Sequence, residues 1–247
     1  MWVEKEGTTV ERIVIGEYKF YQSTNNIQNK DKIVILYHGW GGTAKGYIEL
    51  AEEIAQEGFG VLIPDILNHD ERYPLENHFD SNVTRNYFWN TVFHTINEFN
   101  EFLRVIGVKK NSTILVGNSM GGFIANGIFA KEPEISGLAN INGSGSFVLT
   151  EKIFRIRDGR DEISQAEESR LKKYDPIDKM ISLSPVLLMH GDSDTIIPIE
   201  GQKNYYKYIT KEEKRTNVEM KIFEKVNHEF TPKMIEKLIT WLKEIKN

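Results

Sequence analysis

The run Gly117-Asn118-Ser119-Met120-Gly121-Gly122 has the clearest chemical potential in this sequence of 247 residues. It follows the apolar segment TILV and precedes a stretch of helical character. A serine at such a junction stands on a sharp strand-to-helix turn, its hydroxyl raised to attack a carbonyl. Glycines two residues to either side are needed there because a Cβ would collide with neighbouring chain. The following helix aims its N-terminus at the same point, which favours developing negative charge. The five-residue pattern alone is weak, since roughly one chain in ten of this length holds it by chance as a mere glycine turn. The flanking strand and helix, with Gly122, make it far more specific.

A serine hydroxyl needs a base to take its proton, and the base needs an acid to orient it. Both should follow the serine, acid first. The apolar PVLLM runs into His190-Gly191-Asp192-Ser193-Asp194-Thr195-Ile196-Ile197-Pro198, and VEMKIF runs into Glu224-Lys225-Val226-Asn227-His228. Three strand ends thus deliver Ser119, an aspartate and His228 to one edge of a sheet. Asp194 and Asp192 compete for the acid role; Asp194 lies further into its loop and is preferred, while Asp192 suits the commoner task of stabilising a turn. His228 could be a plain loop histidine on position alone, and gains its role from the other two.

His38-Gly39-Trp40-Gly41-Gly42 reads as a glycine-rich loop whose amides can hold the oxygen that becomes negative when Ser119 attacks. The two donors are assigned to the backbone N–H groups of Trp40 and Met120, with Gly39 beside them as a candidate substrate-binding position. His38 is expected to brace this loop rather than act as a base.

The elements that must position these residues alternate. Strands are expected at Val10–Ile15, Tyr18–Tyr21, Lys32–Tyr37, Phe59–Pro64, Thr113–Val116, Gly137–Ile141, Pro185–Met189 and Val218–Phe223. Helices are expected at Lys45–Gln56, Asn82–Ile106, Met120–Ala130, Glu200–Tyr208 and Pro232–Ile245. Such alternation argues for an α/β fold, a mostly parallel sheet covered on both faces, with the first two strands antiparallel at one edge. QSTNNIQNKD reads as a polar turn. Residues from 147 to 184 contain no strand candidate and read as a helix-prone insertion across the ligand-binding end of the sheet.

Hydrophobic residues make up 40% of the chain and charged residues 27%, the balance of a globular protein. A net charge of -5 with scattered Lys and Arg argues against nucleic acid as a partner. With no cysteine, disulfides, thiolate metal sites and cysteine nucleophiles are excluded. Six isolated histidines make no metal-binding pattern, and no phosphate-binding glycine loop ending in Gly-Lys-Ser/Thr appears. The charged N-terminus lacks a signal-like apolar run, and no apolar stretch is long enough to span a bilayer, so a cytoplasmic location without membrane contact is expected.

HGWGG, PDILNHDER, GNSMGG, HGDSDTIIP and VNH together resemble the bacterial dienelactone-hydrolase-like carboxylesterases of the α/β-hydrolase superfamily, relatives of the prolyl-oligopeptidase catalytic domain. The likeness runs in order from about Lys32 to the C-terminus. It implies one α/β-hydrolase domain over residues 1–247, with a cap-like insertion at about 147–184. It matches Ser119, Asp194 and His228 to nucleophile, acid and base, and Trp40 and Met120 to the oxyanion positions. It further implies hydrolysis of small-molecule, short-chain acyl esters without cofactor or metal; the oligomeric state is left open. Serine replaces the cysteine of the dienelactone hydrolases proper, so the dienelactone substrate is not carried over. Asn227 stands where the pattern often has glycine before the histidine, and asparagine tolerates left-handed backbone angles. The same apparatus would serve thioesters. Small peptides or amides are a further alternative, although the peptidase relatives carry a large N-terminal propeller. A non-catalytic ligand-binding protein on this fold is the rival of another class; such proteins usually lose a triad member or an elbow glycine, and none is missing.

Three weaker signals remain. His69 could contact substrate, or be a hydrogen-bonded structural histidine. Phe88, Trp89 and Phe93 could shape an acyl pocket, though aromatic residues at this helical spacing are more often core. The Arg-, Asp- and Glu-rich stretch at 155–173 could recognise a charged substrate, while a solvated helix face is the default expectation.

Overall fold

The computed structural model describes residues 9–23, 27, 30–179 and 182–246; part of the polar turn expected at 22–31 lies outside them. Eight strands form one sheet: β1 (Val10–Ile15), β2 (Tyr18–Ser23), β3 (Ile33–Tyr37), β4 (Gly60–Pro64), β5 (Thr113–Asn118), β6 (Gly137–Ile141), β7 (Val186–Gly191) and β8 (Val218–Phe223). Their spatial order is β1-β2-β4-β3-β5-β6-β7-β8. The first two strands are antiparallel to their neighbours and β3 to β8 run parallel, as the alternation of the sequence predicts.

The central strands are apolar throughout because both faces are covered, and the two-residue period of a strand decides which face each side chain joins. Ile33, Ile35 and Tyr37 enter one core with Leu115, Leu138 and Leu188, while Val34 and Leu36 enter the other with Val116, Ile141 and Met189. The first core is closed by α2 (Ser81–Ile106) and α3 (Met120–Lys131). The second is closed by α1 (Ile48–Gln56), preceded by a short 3₁₀ turn at Ala44–Tyr47, and by α7 (Pro232–Lys246). Asp80 caps α2 by accepting from the Asn82 and Val83 amides at 2.9 and 3.0 Å, and Gly107 ends it at φ 69°. At the sheet edge, Arg12 of β1 grips the buried Asp65 carboxylate through two bonds of 2.6 and 2.5 Å.

Two helices, α4 (Phe147–Arg157) and α5 (Gln165–Lys172), occupy the stretch between β6 and β7. A Ser164/Glu167 capping box starts α5. Beyond β7, α6 (Ile199–Lys207) runs into a π-helical turn at Tyr208–Glu212. Strand β5 outruns its expected end at Val116: Gly117 and Asn118 still pair with Asn140 and Ile141 of β6. The sheet therefore carries its order up to Ser119. No described helix is long and apolar enough to cross a membrane.

Candidate active site

Ser119 sits between β5 and α3 at φ 56° and ψ -120°, a conformation that costs a non-glycine residue about 1–3 kcal/mol. The surroundings hold it there. Its amide donates to the Ile141 carbonyl at 2.8 Å, and its own carbonyl accepts from the Gly122 amide at 2.9 Å. A Cβ at Gly117 would lie 1.9 Å from the Gly121 carbonyl oxygen, and one at Gly121 would lie 2.0 Å from that of Tyr37. Both glycines are thus required by backbone crowding, as their spacing predicts. Gly39 packs directly on the serine, where an added Cβ would be 3.1 Å from Ser119 Cβ.

The structure brings Ser119, His228 and Asp194 together. Ser119 Oγ is 2.8 Å from His228 Nε2, and His228 Nδ1 is 2.7 Å from Asp194 Oδ2. A carboxylate only accepts, so Nδ1 carries the imidazole proton and Nε2 is left to accept from the serine hydroxyl. The other Asp194 oxygen accepts from the Ile196 and Ile197 amides, each at 2.9 Å. Burial opposes ionisation of Asp194, but bonds from His190 and His228, the attraction of His228 and the Ile197 amide outweigh it. Together they hold this carboxyl well below the usual carboxylate range.

Asp192 is turned away from His228. Its Oδ1 accepts from the Lys225 amide at 2.7 Å and from Ser193 Oγ at 2.8 Å, tying the β7 loop to the turn after β8. That turn departs from expectation: the left-handed residue is Lys225, at φ 58°, and not Asn227. Asn227 acts through its side chain instead, its Oδ1 accepting from the amides of Thr195 at 2.9 Å and His228 at 2.8 Å. It fastens the acid loop to the histidine loop, a task glycine could not perform.

The His38–Gly42 loop is braced from below. His38 Nε2 is 2.9 Å from Asp70 Oδ2, and Asp70 Oδ1 accepts from the Ala44 amide at 2.8 Å. Trp40 is anchored by a 2.7 Å bond from its Nε1 to the His78 carbonyl. His69 is buried, and both its ring nitrogens are taken: Nδ1 donates to the Leu67 carbonyl at 3.1 Å, and Nε2 accepts from the Gly41 amide at 3.0 Å. It lies beneath the loop, outside the residues that line the cavity over Ser119.

Burial lowers His69 from the ordinary 6.5 to about 4. Between those values the unfolded chain binds a proton that the native site refuses, so stability falls as pH drops from about 6.5 towards 4. We expect His69→Gln to flatten this part of the stability curve by up to about 3 kcal/mol. Thermal melts of both proteins across pH 4–7.5 check it, and parallel curves would contradict the assignment.

Above Ser119 opens a cavity of about 500 Å³ between the start of α2 and the α4–α5 pair. Phe88, Trp89 and Phe93 line it and also pack into the first core, so pocket and core share one aromatic wall. The 155–173 stretch is not simply a solvated face: Arg155, Arg160, Glu167 and Arg170 line this cavity. Their centre is Glu151, which is buried and accepts from Trp89 Nε1 at 2.8 Å, Arg155 Nε at 2.8 Å and Arg160 Nη1 at 3.0 Å. Arg157 Nη1 donates to the Thr195 and Ile196 carbonyls at 3.2 and 2.8 Å, joining α4 to the Asp194 loop. Sequence reasoning missed Glu151, whose Trp89 partner lies 62 residues away, and gave Arg157, within the 155–173 stretch, no link to the carbonyls 38 and 39 residues further on.

Sheet order, elbow and the positions of the loops define an α/β-hydrolase. Comparison with known proteins agrees. The model of the dienelactone hydrolase family matches residues 19–237, and the chain belongs to that family and is a hydrolase. Esterase YjfP of Escherichia coli (strain K12) is 25% identical over 222 residues, covering 85% of this chain and 88% of the relative. Among solved structures, TT1662 from Thermus thermophilus superposes with a TM-score of 0.73 at 18% identity, covering 97% of this chain and 98% of the other. Acetyl xylan esterase 1 from a Thermoanaerobacterium species gives 0.69 at 14% identity, covering 99% and 86%. At these identities the structural likenesses speak to the fold.

Proposed function

We propose that the chain hydrolyses carboxylic esters of small or short-chain acyl groups through an acyl-enzyme. The observation that carries this reading is the unbroken hydrogen-bond chain from Ser119 Oγ through His228 to Asp194, opening into the cavity above. The esterase name of the Escherichia coli relative supports the ester class.

In this mechanism His228 Nε2 takes the hydroxyl proton as Ser119 Oγ attacks the ester carbonyl, and Asp194 steadies the imidazolium. The carbonyl oxygen turns negative and is held by the Trp40 and Met120 amides. The loop chemistry favours Trp40: of the amides at 40–42, Gly41 is committed to His69 and Gly42 to the Gly39 carbonyl. Met120 begins α3, so the helix dipole adds to its amide. His228 then gives the proton to the departing alcohol, and water repeats the sequence to release the acid.

The test is initial-rate hydrolysis of p-nitrophenyl esters from acetate to palmitate. We expect rates to peak at short chains. Absence of turnover on every chain length, with folded protein, would overturn the ester reading.

A further inference from the structure

His190, the last residue but one of β7, is wholly buried and takes no part in the proton transfers above. Its Nε2 lies 3.1 Å from Asp194 Oδ2, the same oxygen that His228 Nδ1 approaches at 2.7 Å. The same Nε2 is 3.0 Å from the Ile197 carbonyl oxygen. Both neighbours of this nitrogen are acceptors, so it carries a proton. The other ring nitrogen, Nδ1, is buried with no hydrogen-bond partner among the described residues. A second proton there would be an unpaired donor on a buried cation, which is costly. His190 is therefore a neutral imidazole in its Nε2–H form.

We propose that His190 is a positioning residue of the active site, a fixed Nε2–H donor that shares the Asp194 carboxylate with His228 and so sets both its orientation and how much of its charge His228 receives. This rests on the triad reading above.

Asp194 Oδ1 accepts from the Ile196 and Ile197 amides and Oδ2 from His228 Nδ1, while His190 Nε2–H, directed to the Ile197 carbonyl, also faces Oδ2 at 3.1 Å. Its rotation is locked from both ends. Ionisable groups on the neighbouring elements do not displace His190. Asp192 is turned to the Lys225 amide, and Arg157 of α4 reaches carbonyls of the loop rather than the carboxylate. By taking part of the carboxylate's charge, His190 limits how strongly Asp194 stabilises protonated His228.

The test compares pH profiles of wild type, His190→Leu and His190→Gln on a short p-nitrophenyl ester. Leucine removes the donor, and the glutamine amide places one near the original Nε2. For His190→Leu we expect kcat to fall about tenfold, KM to stay within about twofold, and the acid limb of kcat/KM to move up by roughly half to one pH unit. His190→Gln should return the limb to its wild-type position. A loss of kcat with no movement of the limb, or a glutamine variant displaced like leucine, would overturn the proposal. Should the leucine variant fail to fold, ¹⁵N NMR of histidine-labelled wild type decides: His190 must show the Nε2–H tautomer. An Nδ1–H tautomer would overturn the proposal. Fluorophosphonate labelling of wild type runs alongside; failure to label would count against the triad itself, whereas the His190 tautomer is read independently.

Discussion

Asp194→Asn should leave the protein folded and lower kcat on short esters by about 10⁴-fold. The outcome depends on which end of the new amide faces His228. The Ile196 and Ile197 amides both donate to Asp194 Oδ1, and only an oxygen can accept them. They fix the asparagine carbonyl in that position and point its NH₂ at His228, with His190 Nε2–H left to the Ile197 carbonyl. The imidazole Nδ1 must then accept rather than donate, which moves the ring proton to Nε2. That nitrogen then presents a proton to Ser119 and cannot take one. Backbone geometry thus converts an isosteric change into the wrong tautomer. Kinetics on a short p-nitrophenyl ester, with a thermal melt as control, check the prediction. A loss of less than about tenfold would show that Asp194 is not the orienting acid.

Gly121→Ala should be severely destabilising for so small a substitution. Its Cβ would meet Tyr37 O at 2.0 Å, Tyr37 C at 2.5 Å and His38 O at 2.9 Å, all backbone atoms where β3 enters the His38–Gly42 loop. No rotamer change relieves this contact, so α3 must move off the sheet, taking the Ser119 turn with it. Overpacking of this kind costs more than about 3 kcal/mol, a drop in Tm of more than about 6 °C for a chain of this size. Gly46→Ala is the matched control: its Cβ would have only Thr43 Oγ1 at 3.5 Å, an ordinary contact. Differential scanning calorimetry of both variants separates the two expectations, and equal melting temperatures would contradict the packing argument.

Much of this was legible in the sequence because the parallel sheet ties chemistry to strand ends. Apolar runs such as IVILY mark doubly buried strands, and the residues that follow them must emerge at one edge. Ser119, Asp194 and His228 each follow such a run or its shorter equivalent. Local backbone crowding is likewise written locally: Gly117 and Gly121 stand two residues either side of the serine they serve. What was not legible depends on distant partners. The Arg and Glu residues around α4 and α5 repeat as a solvated face would, and only the fold brings Trp89, Arg155 and Arg160 together on Glu151. The bracing expected of His38 and the hydrogen-bonded alternative for His69 were legible as roles, but their partners, Asp70 and the Gly41 amide, appear only in the fold. Asn227 was legible as a position but not as a mechanism, since its Oδ1 works on Thr195 across the site while Lys225 takes the left-handed turn.

The central claim is that Ser119 is the nucleophile raised by its turn and deprotonated by His228. Intact-protein mass spectrometry after a fluorophosphonate probe tests it most directly, with wild type, Ser119→Ala and peptide mapping side by side. The account predicts one adduct per wild-type chain, mapped to Ser119, and none on folded Ser119→Ala. Unlabelled wild type that is folded and exposed to excess probe, or equal labelling of the alanine variant, would contradict it.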